Sequence, residues 1–326
     1  MPPSALRRGH RGICNSACSM PEFGVPHRSF GPWGLDEADL AHQGDTMTEP
    51  GDLKAALMCG AGHSGSTLLG MILGSHSQAF YVGEGAKIRN LGDENKPLRK
   101  RVCKICGEDC EVWAGFRWDR DRPLYEQVAA HVHRPVIIDS TKDEAWIEAR
   151  AAEMNASGRQ ACLIFLTRDG RAVVNSRIRK YPERGAEAQI RQWMGKMALS
   201  QALFDAFEGP KLQISYELLS TQTETEVRRV CDLMQIEFEP SMLRFAEQSH
   251  HVLGGNSGTQ FIAAKTRFDD PDEAFVSLTD RTSGYYENHS GGIELDLRWK
   301  QELDPAHLAL FEQLAGALNA QFSVGV

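Results

Sequence analysis

Residues 53–75 read LKAALMCGAGHSGSTLLGMILGS. They form an apolar run, a loop with glycines at 60, 62 and 65, and a segment whose Leu68, Leu69, Ile72 and Leu73 recur at helical spacing. A buried strand that passes through a glycine-rich turn into a helix predicts an anion site. Glycines admit positive φ and let a ligand approach the backbone, so successive N–H groups converge at the positive end of the helix. The spacing Gly60-x4-Gly65-Ser66-Thr67 is that of the nucleotide phosphate loop G-x-x-x-x-G-K-[ST], with Ser66 where the lysine for the β- and γ-phosphates stands. Triphosphate handling is therefore not expected. The same residues fit the dinucleotide pattern G-x-G-x-x-G, and a glycine turn without a ligand is the third reading.

Outward from this stretch, short apolar runs alternate with amphipathic segments. The runs are AFYVG (79–83), PVIID (135–139), ACLIFLT (161–167) and LQISY (212–216). Between or after them come AWIEARAAEM (145–154), QIRQWMGKMALSQALFDAF (189–207) and ETEVRRVCDLM (224–234). Such alternation predicts an α/β fold: three layers of the P-loop type, a mostly parallel central sheet with helices on both faces. Residues 51–326 are expected to form one such domain. Two polar stretches depart from the rhythm: 88–131, which holds a cysteine cluster, and 252–292, rich in Gly, Ser, Thr and Asp, which has the composition of a lid. Residues 1–50, with FGVPHRSFGPWG at 23–34, read as a disordered leader, or Met47 is the true start.

The chain has 326 residues, 41% of them apolar, enough for a large core, and a formal charge of −8. That charge argues against a nucleic-acid or acidic-membrane binder, so an anionic ligand must be met by local cations. No run is long enough to span a membrane, Arg7-Arg8 precede no signal-type apolar run, and a cytoplasmic location is expected.

A second anion element lies in ACLIFLTRDGRAVVNSRIRK (161–180). Arg168 stands where a buried strand opens into the crevice that binds ligands in open α/β sheets, and Ser176 follows two helical turns later. A guanidinium with a hydroxyl suits a phosphate monoester. A surface Arg168–Asp169 ion pair beside an ordinary helical serine is the plainer alternative.

The loop, with LTRDGRAVVNS about a hundred residues after it, resembles the sulfotransferases that use 3′-phosphoadenosine 5′-phosphosulfate (PAPS), especially their bacterial and tyrosylprotein-type branches. YVGE (81–84), VIIDSTKD (136–143), SYELL (215–219), GGN (254–256) and DLRWKQEL (296–303) extend the resemblance over about residues 53–320. It implies that Gly62, His63, Ser64, Gly65, Ser66 and Thr67 hold the 5′-phosphosulfate and that Arg168 and Ser176 hold the 3′-phosphate. The implied reaction moves a sulfuryl group to a hydroxyl on a small molecule, carbohydrate or peptide and releases adenosine 3′,5′-bisphosphate, with no metal required. A kinase-like phosphotransferase, with Asp139 as a magnesium ligand, and a nucleotide-binding module without catalysis are the alternatives.

Sulfuryl transfer is mostly positioning and charge neutralisation. Glu84, at the end of a strand near the loop, is the candidate base for the acceptor hydroxyl. Lys142, again at a strand end, is the candidate cation for the breaking bond; a solvated lysine at a helix start capped by Ser140 or Thr141 is its alternative. His63 departs from the Arg or Lys of many family members and is a donor or a base. After GGN the expected arginine is missing, which leaves Lys265, Arg267 or Lys300 as substitutes, with Trp299 either stacked on a base or in the core. CKICGEDCEVW (103–113) offers Cys103, Cys106 and Cys110 without an obvious fourth ligand, with His131 and His133 as candidate completions. Zinc, a disulfide and free thiols all stay open there.

Overall fold

The computed structural model describes residues 53–268, 274–287 and 289–324. The leader expected at 1–50 lies outside the described residues. Five parallel strands form one sheet: β1 (Lys54–Cys59), β2 (Ala79–Gly83), β3 (Val136–Asp139), β4 (Gln160–Thr167) and β5 (Lys211–Ser215), in the order β2-β3-β1-β4-β5. The longer helices are α1 (Ser66–Gly74), α2 (Leu124–Val132), α3 (Glu144–Ala156), α4 (Gly170–Lys180), α5 (Ala186–Ala206), α6 (Thr223–Met234), α7 (Ser257–Arg267) and α8 (Pro305–Asn319).

Sequence accounts for the strand order. β1, β3 and β4 are almost wholly buried and almost wholly apolar, as strands covered on both faces must be. In β5 exposed Lys211 and Gln213 alternate with Leu212 and Ile214, the pattern of an edge. The chain steps one way out of β1, to β2, and the other way from β3 to β4 and β5. With right-handed crossovers this puts α1 on one face, against β2 and β3, and α3 on the other, against β1 and β4. The reversal makes the carboxyl ends of the neighbours β1 and β4 the topological switch point, where ligands bind in open α/β sheets.

The expected stripe on α1 is wider than the sequence suggested. Leu69, Met71, Ile72 and Leu73 are all fully buried while Leu68 is only partly so. Covering such a side chain contributes roughly 1.5–3 kcal/mol each, so α1 is fixed to the sheet nearly all round. Of the two stretches outside the α/β rhythm, 88–131 connects β2 towards β3 and carries α2. Residues 252–256 run against the β2 end and Thr67, where the Leu253 N–H donates to the Val82 carbonyl at 2.9 Å and the Asn256 N–H to Thr67 Oγ1 at 2.8 Å. No helix among the described residues is long and apolar enough to cross a membrane.

Candidate active site

The phosphate loop joins β1 to α1 and requires glycine at two positions. Gly60 has φ +123°, and a Cβ there would lie 2.3 Å from the Leu166 carbonyl oxygen on β4. Gly65, at φ +89°, is the N-cap of α1, with the Tyr216 ring 2.6 Å from where a Cβ would stand. No side chain caps α1, so none competes with an anion for its first-turn amides. His63 has φ +71°, a conformation that costs a non-glycine residue energy and is kept only where its surroundings enforce it.

His63 is where the two anion elements meet. Its carbonyl accepts from Arg168 Nη1 at 3.0 Å, and its Nδ1 lies 2.9 Å from Ser176 Oγ. Arg168 is buried, its guanidinium 4.1 Å above the Tyr216 ring, and Nη2 donates to the Asp296 carbonyl at 3.0 Å and pairs with its carboxylate at 3.3 Å. Burial foremost, then the charges of Lys180, Arg177, Arg168 and Lys142, push the His63 imidazole down to about 3. It is neutral at working pH and acts through its tautomer, not its charge. The surface Arg168–Asp169 pair weighed from the sequence does not form: Asp169 caps α4 and pairs with Arg171, at 2.6 Å.

Lys142 closes the other end of the loop. Its Nζ donates to Ser66 Oγ at 3.0 Å and to the Ser140 carbonyl at 2.5 Å, from a backbone held at φ +59°. Burial lowers its pKa, against the opposing pull of Glu84 and Asp139. Lys196 supports this turn by donating to the Lys142 carbonyl and pairing with Glu144. The cap of α3 is Asp143, not Ser140 or Thr141: its carboxylate accepts from the Trp146 N–H at 2.9 Å, while Ser140 and Thr141 are engaged with Gly83 and Asp139. Glu84 follows β2 with its carboxylate 2.8 Å from Lys87 Nζ and packs against Gly254.

Ser66 Oγ accepts from Lys142 and Thr67 Oγ1 accepts from the Asn256 N–H. Each hydroxyl therefore keeps its own proton to donate. Ser64 Oγ and Arg168 Nε are buried polar atoms without a hydrogen-bond partner among the described residues. Buried groups of this kind are rare and point to a missing ligand or water. Asp139, by contrast, is saturated: its carboxylate accepts from the Gly85 and Thr141 N–H groups, the Thr141 and Tyr125 hydroxyls and the Trp146 indole, at 2.6–3.0 Å. It is a structural acid with no oxygen left for the magnesium of the phosphotransferase alternative.

The C-terminal candidates have other partners or neighbours. Lys265 donates to the Glu287 carbonyl at 3.0 Å, Arg267 pairs with Glu111 at 3.1 Å, and exposed Lys300 lies beside Trp299. Trp299 is buried under Arg171, 4.3 Å from its ring, so it belongs to the core and not to a base-stacking platform. What the sequence reading missed is Arg298, two residues from Asp296. Its side chain binds the Asp296 carboxylate at 2.8 Å from both Nε and Nη2. Burial works against the Asp296 charge, yet the Arg298 hydrogen bonds and the Arg168 charge outweigh it and hold that carboxyl well below its usual range. DLRWKQEL carried the signal, since the Asp296–Arg298 pair is local, but only the fold brings it to Arg168.

The profile described as the Sulfotransferase family matches residues 56–240, more than half of the chain. Among solved structures the chain is similar to the sulfotransferase domain from the curacin biosynthetic pathway, at 18% identity over 83% of this chain and 98% of that one, with a TM-score of 0.53. It is also similar to the sulfotransferase domain from the Synechococcus PCC 7002 olefin synthase, at 16% identity, 84% and 98% coverage and a TM-score of 0.48. A sulfotransferase from Alicyclobacillus acidocaldarius matches at 14% identity, 59% and 89% coverage and a TM-score of 0.36. The curacin-pathway likeness shows a shared fold. No curated protein matches the chain.

Proposed function

The chain belongs to the sulfotransferase family and is a sulfuryl-transferring enzyme, and we propose that its donor is PAPS, held at both ends by the elements that meet at His63. The observation that carries this reading is that contact: Arg168 and Ser176 are hydrogen-bonded to the residue at the centre of the phosphate loop. A ligand with an anion at the 5′ end and a second at the 3′ end of one adenosine fits two adjoining donor sets. The 5′-phosphosulfate takes the loop amides, Ser66, Thr67 and Ser64, and the 3′-phosphate takes Arg168 and Ser176. If His63 carries its proton on Nδ1 and donates to Ser176 Oγ, the serine proton is free for the phosphate. Four cations around a neutral imidazole supply the positive field that the chain's net charge of −8 lacks.

In the reaction the acceptor hydroxyl oxygen bonds to sulfur as the bond from sulfur to the bridging phosphate oxygen breaks. The hydroxyl proton passes to Glu84, and adenosine 3′,5′-bisphosphate leaves with the electron pair of the broken bond. Lys142, in contact with Ser66, offsets the charge that grows on the departing oxygen. The acceptor belongs to the hydroxyls of small molecules, carbohydrates or peptides. A cytoplasmic setting belongs to this reading.

Titration calorimetry with adenosine 3′,5′-bisphosphate tests the reading. Binding is expected, with Arg168→Ala weakening it by about 2–4 kcal/mol and adenosine 5′-monophosphate binding the wild type and Arg168→Ala alike. A wild type indifferent to the bisphosphate overturns the donor assignment. Equal bisphosphate affinity in Arg168→Ala overturns the 3′-phosphate site.

A further inference from the structure

Away from the phosphate loop, the Sγ atoms of Cys103, Cys106 and Cys110 and a ring nitrogen of His251 all lie within 4.8 Å of one another. His251 Nδ1 is 3.4 Å from Cys106 Sγ and 3.3 Å from Cys110 Sγ. Four ligands around zinc, at bond lengths of about 2.3 Å to sulfur and 2.1 Å to nitrogen, stand roughly 3.5–3.8 Å apart along the edges of their tetrahedron. The two nitrogen–sulfur distances fall just short of those edges, and every other pair lies within 4.8 Å.

The chain is built to aim these atoms inward. Cys103 and Gly107 form an isolated antiparallel bridge, the Gly107 N–H donates to the Cys103 carbonyl at 3.2 Å, and Gly107 takes φ +79°. The tight turn puts both thiols on one side, with the Cys106 N–H 3.5 Å from Cys103 Sγ as a donor to a thiolate. Cys103, Cys110 and His251 are almost completely buried.

The far side of the imidazole is also organised. His251 Nε2 lies 3.1 Å from Ser249 Oγ and 3.3 Å from a Glu111 carboxylate oxygen. Arg267, 3.2 Å from the same nitrogen, has both of those oxygens to donate to, at 2.6 Å and 3.1 Å. Glu111 and Ser249 therefore accept the Nε2 proton and leave the Nδ1 lone pair facing the sulfurs. An outer carboxylate that fixes the tautomer is the usual partner of a metal-bound histidine.

We propose that Cys103, Cys106, Cys110 and His251 form a structural zinc site. Three soft sulfurs and one imidazole in a closed tetrahedral set select zinc over magnesium or calcium and leave no open position for catalysis. A disulfide between any two of the cysteines strands the third thiol beside the imidazole. The zinc joins the connection after β2 to the segment that follows His251, where the Lys104 N–H already donates to the Val252 carbonyl at 2.8 Å. That segment runs on to Gly254, packed on Glu84, and to Asn256, bonded to Thr67. The metal thus braces the wall behind the active site from outside it.

Elemental analysis of the purified full chain is expected to give about one zinc per chain. The cobalt-loaded protein is expected to show the intense visible bands and sulfur-to-cobalt charge transfer of a tetrahedral thiolate site. Cys110→Ser and His251→Ala lower metal affinity at least tenfold, His251→Cys restores it, and Cys231→Ser, at a buried cysteine elsewhere, leaves it unchanged. A wild type that neither contains zinc nor gives the tetrahedral cobalt spectrum overturns the site, as does a disulfide mapped between any two of Cys103, Cys106 and Cys110. Full zinc retention in Cys110→Ser and His251→Ala overturns the ligand assignment. The wild-type spectrum decides the matter even if these variants do not fold.

Discussion

The phosphate loop and the cysteine–histidine cluster are both sites closed across a long stretch of chain, yet the sheet unites one and loops unite the other. Cys59 at the end of β1 pairs in register with Phe165 on β4, so the residues that follow each strand, Gly60 onward and Arg168, have to emerge side by side. Arg168 reaches His63 across 105 positions because the parallel ladder delivers it there. His251 reaches Cys110 across 141 positions with no strand to deliver it. A ligand gathered by the sheet can be inferred from strand ends alone, whereas one gathered by loops needs the folded chain.

Backbone tolerance is the sharpest way to break this contrast. Gly60→Ala sets a Cβ 2.3 Å from a carbonyl oxygen of the central strand β4, which cannot yield, at φ +123°. A loss of about 3 kcal/mol or more in denaturant unfolding is expected. Gly107→Ala, at φ +79°, meets the Phe275 side chain at 3.1 Å, and this neighbour can move; about 1–2 kcal/mol is expected. Equal costs at the two positions would show that the cluster is held as rigidly as the sheet.

The next effect separates chemistry from binding within the loop's own region. Glu84→Gln removes the carboxylate but none of the donors assigned to the nucleotide. Turnover is expected to fall about 100-fold or more, with bisphosphate affinity within about threefold. Full turnover in this variant would move the base elsewhere. A matching loss of affinity would make Glu84 a support of the loop through Gly254.

How much was legible follows the same division. The strand–loop–helix at 53–75, the five strands and the spacing between Arg168, just past β4, and Ser176, on α4, were readable because apolar runs and local spacing encode them. Lys142 was readable as a strand-end residue. Its contact with Ser66 was not, because it depends on a left-handed backbone at Lys142 and on Lys196 from α5. Cys103, Cys106 and Cys110 announced a cluster, but their fourth partner was sought at His131 and His133, near in sequence. In the structure His131 Nε2 is bonded to the Val112 carbonyl at 2.5 Å, and His133 ends α2 in a left-handed turn. Neither joins the thiols. Arg298 was missed for a similar reason, its partner Asp296 being local and their shared target, Arg168, remote.

Acid tests the electrostatics of the loop. His63 and His250 are held neutral, at about 3 and about 4, against 6.5 in the unfolded chain, in both cases by burial first. The unfolded state thus takes up protons that the folded state refuses between those values. The stability from each histidine is complete above pH 6.5 and declines as pH falls towards its folded value, by up to about 1.4 kcal/mol per pH unit. His63→Gln is expected to flatten the dependence of the urea midpoint between pH 6.5 and 4 by roughly half of what the two histidines contribute. An unchanged slope would mean that His63 takes up its proton as readily in the folded protein as in the unfolded chain, and that neither burial nor the cations around it hold it neutral.

The smallest effects sharpen the comparison most finely, because Arg267 and Lys300 stood as equal candidates for the nucleotide and the fold sends them apart. Arg267 donates to Ser249 and Glu111, the two groups that orient His251, so it belongs to the cluster. Arg267→Ala is expected to weaken zinc binding about tenfold while bisphosphate affinity stays within about twofold. Lys300→Ala, an exposed lysine beside Trp299, is expected to change either affinity by less than about 0.5 kcal/mol. Since both substitutions remove one positive charge, a general electrostatic effect on the anionic nucleotide would weaken its binding alike in the two variants. A loss of bisphosphate affinity in Arg267→Ala alone would instead mean that the cluster's outer shell reaches the nucleotide, and the two regions would have to be treated as one site.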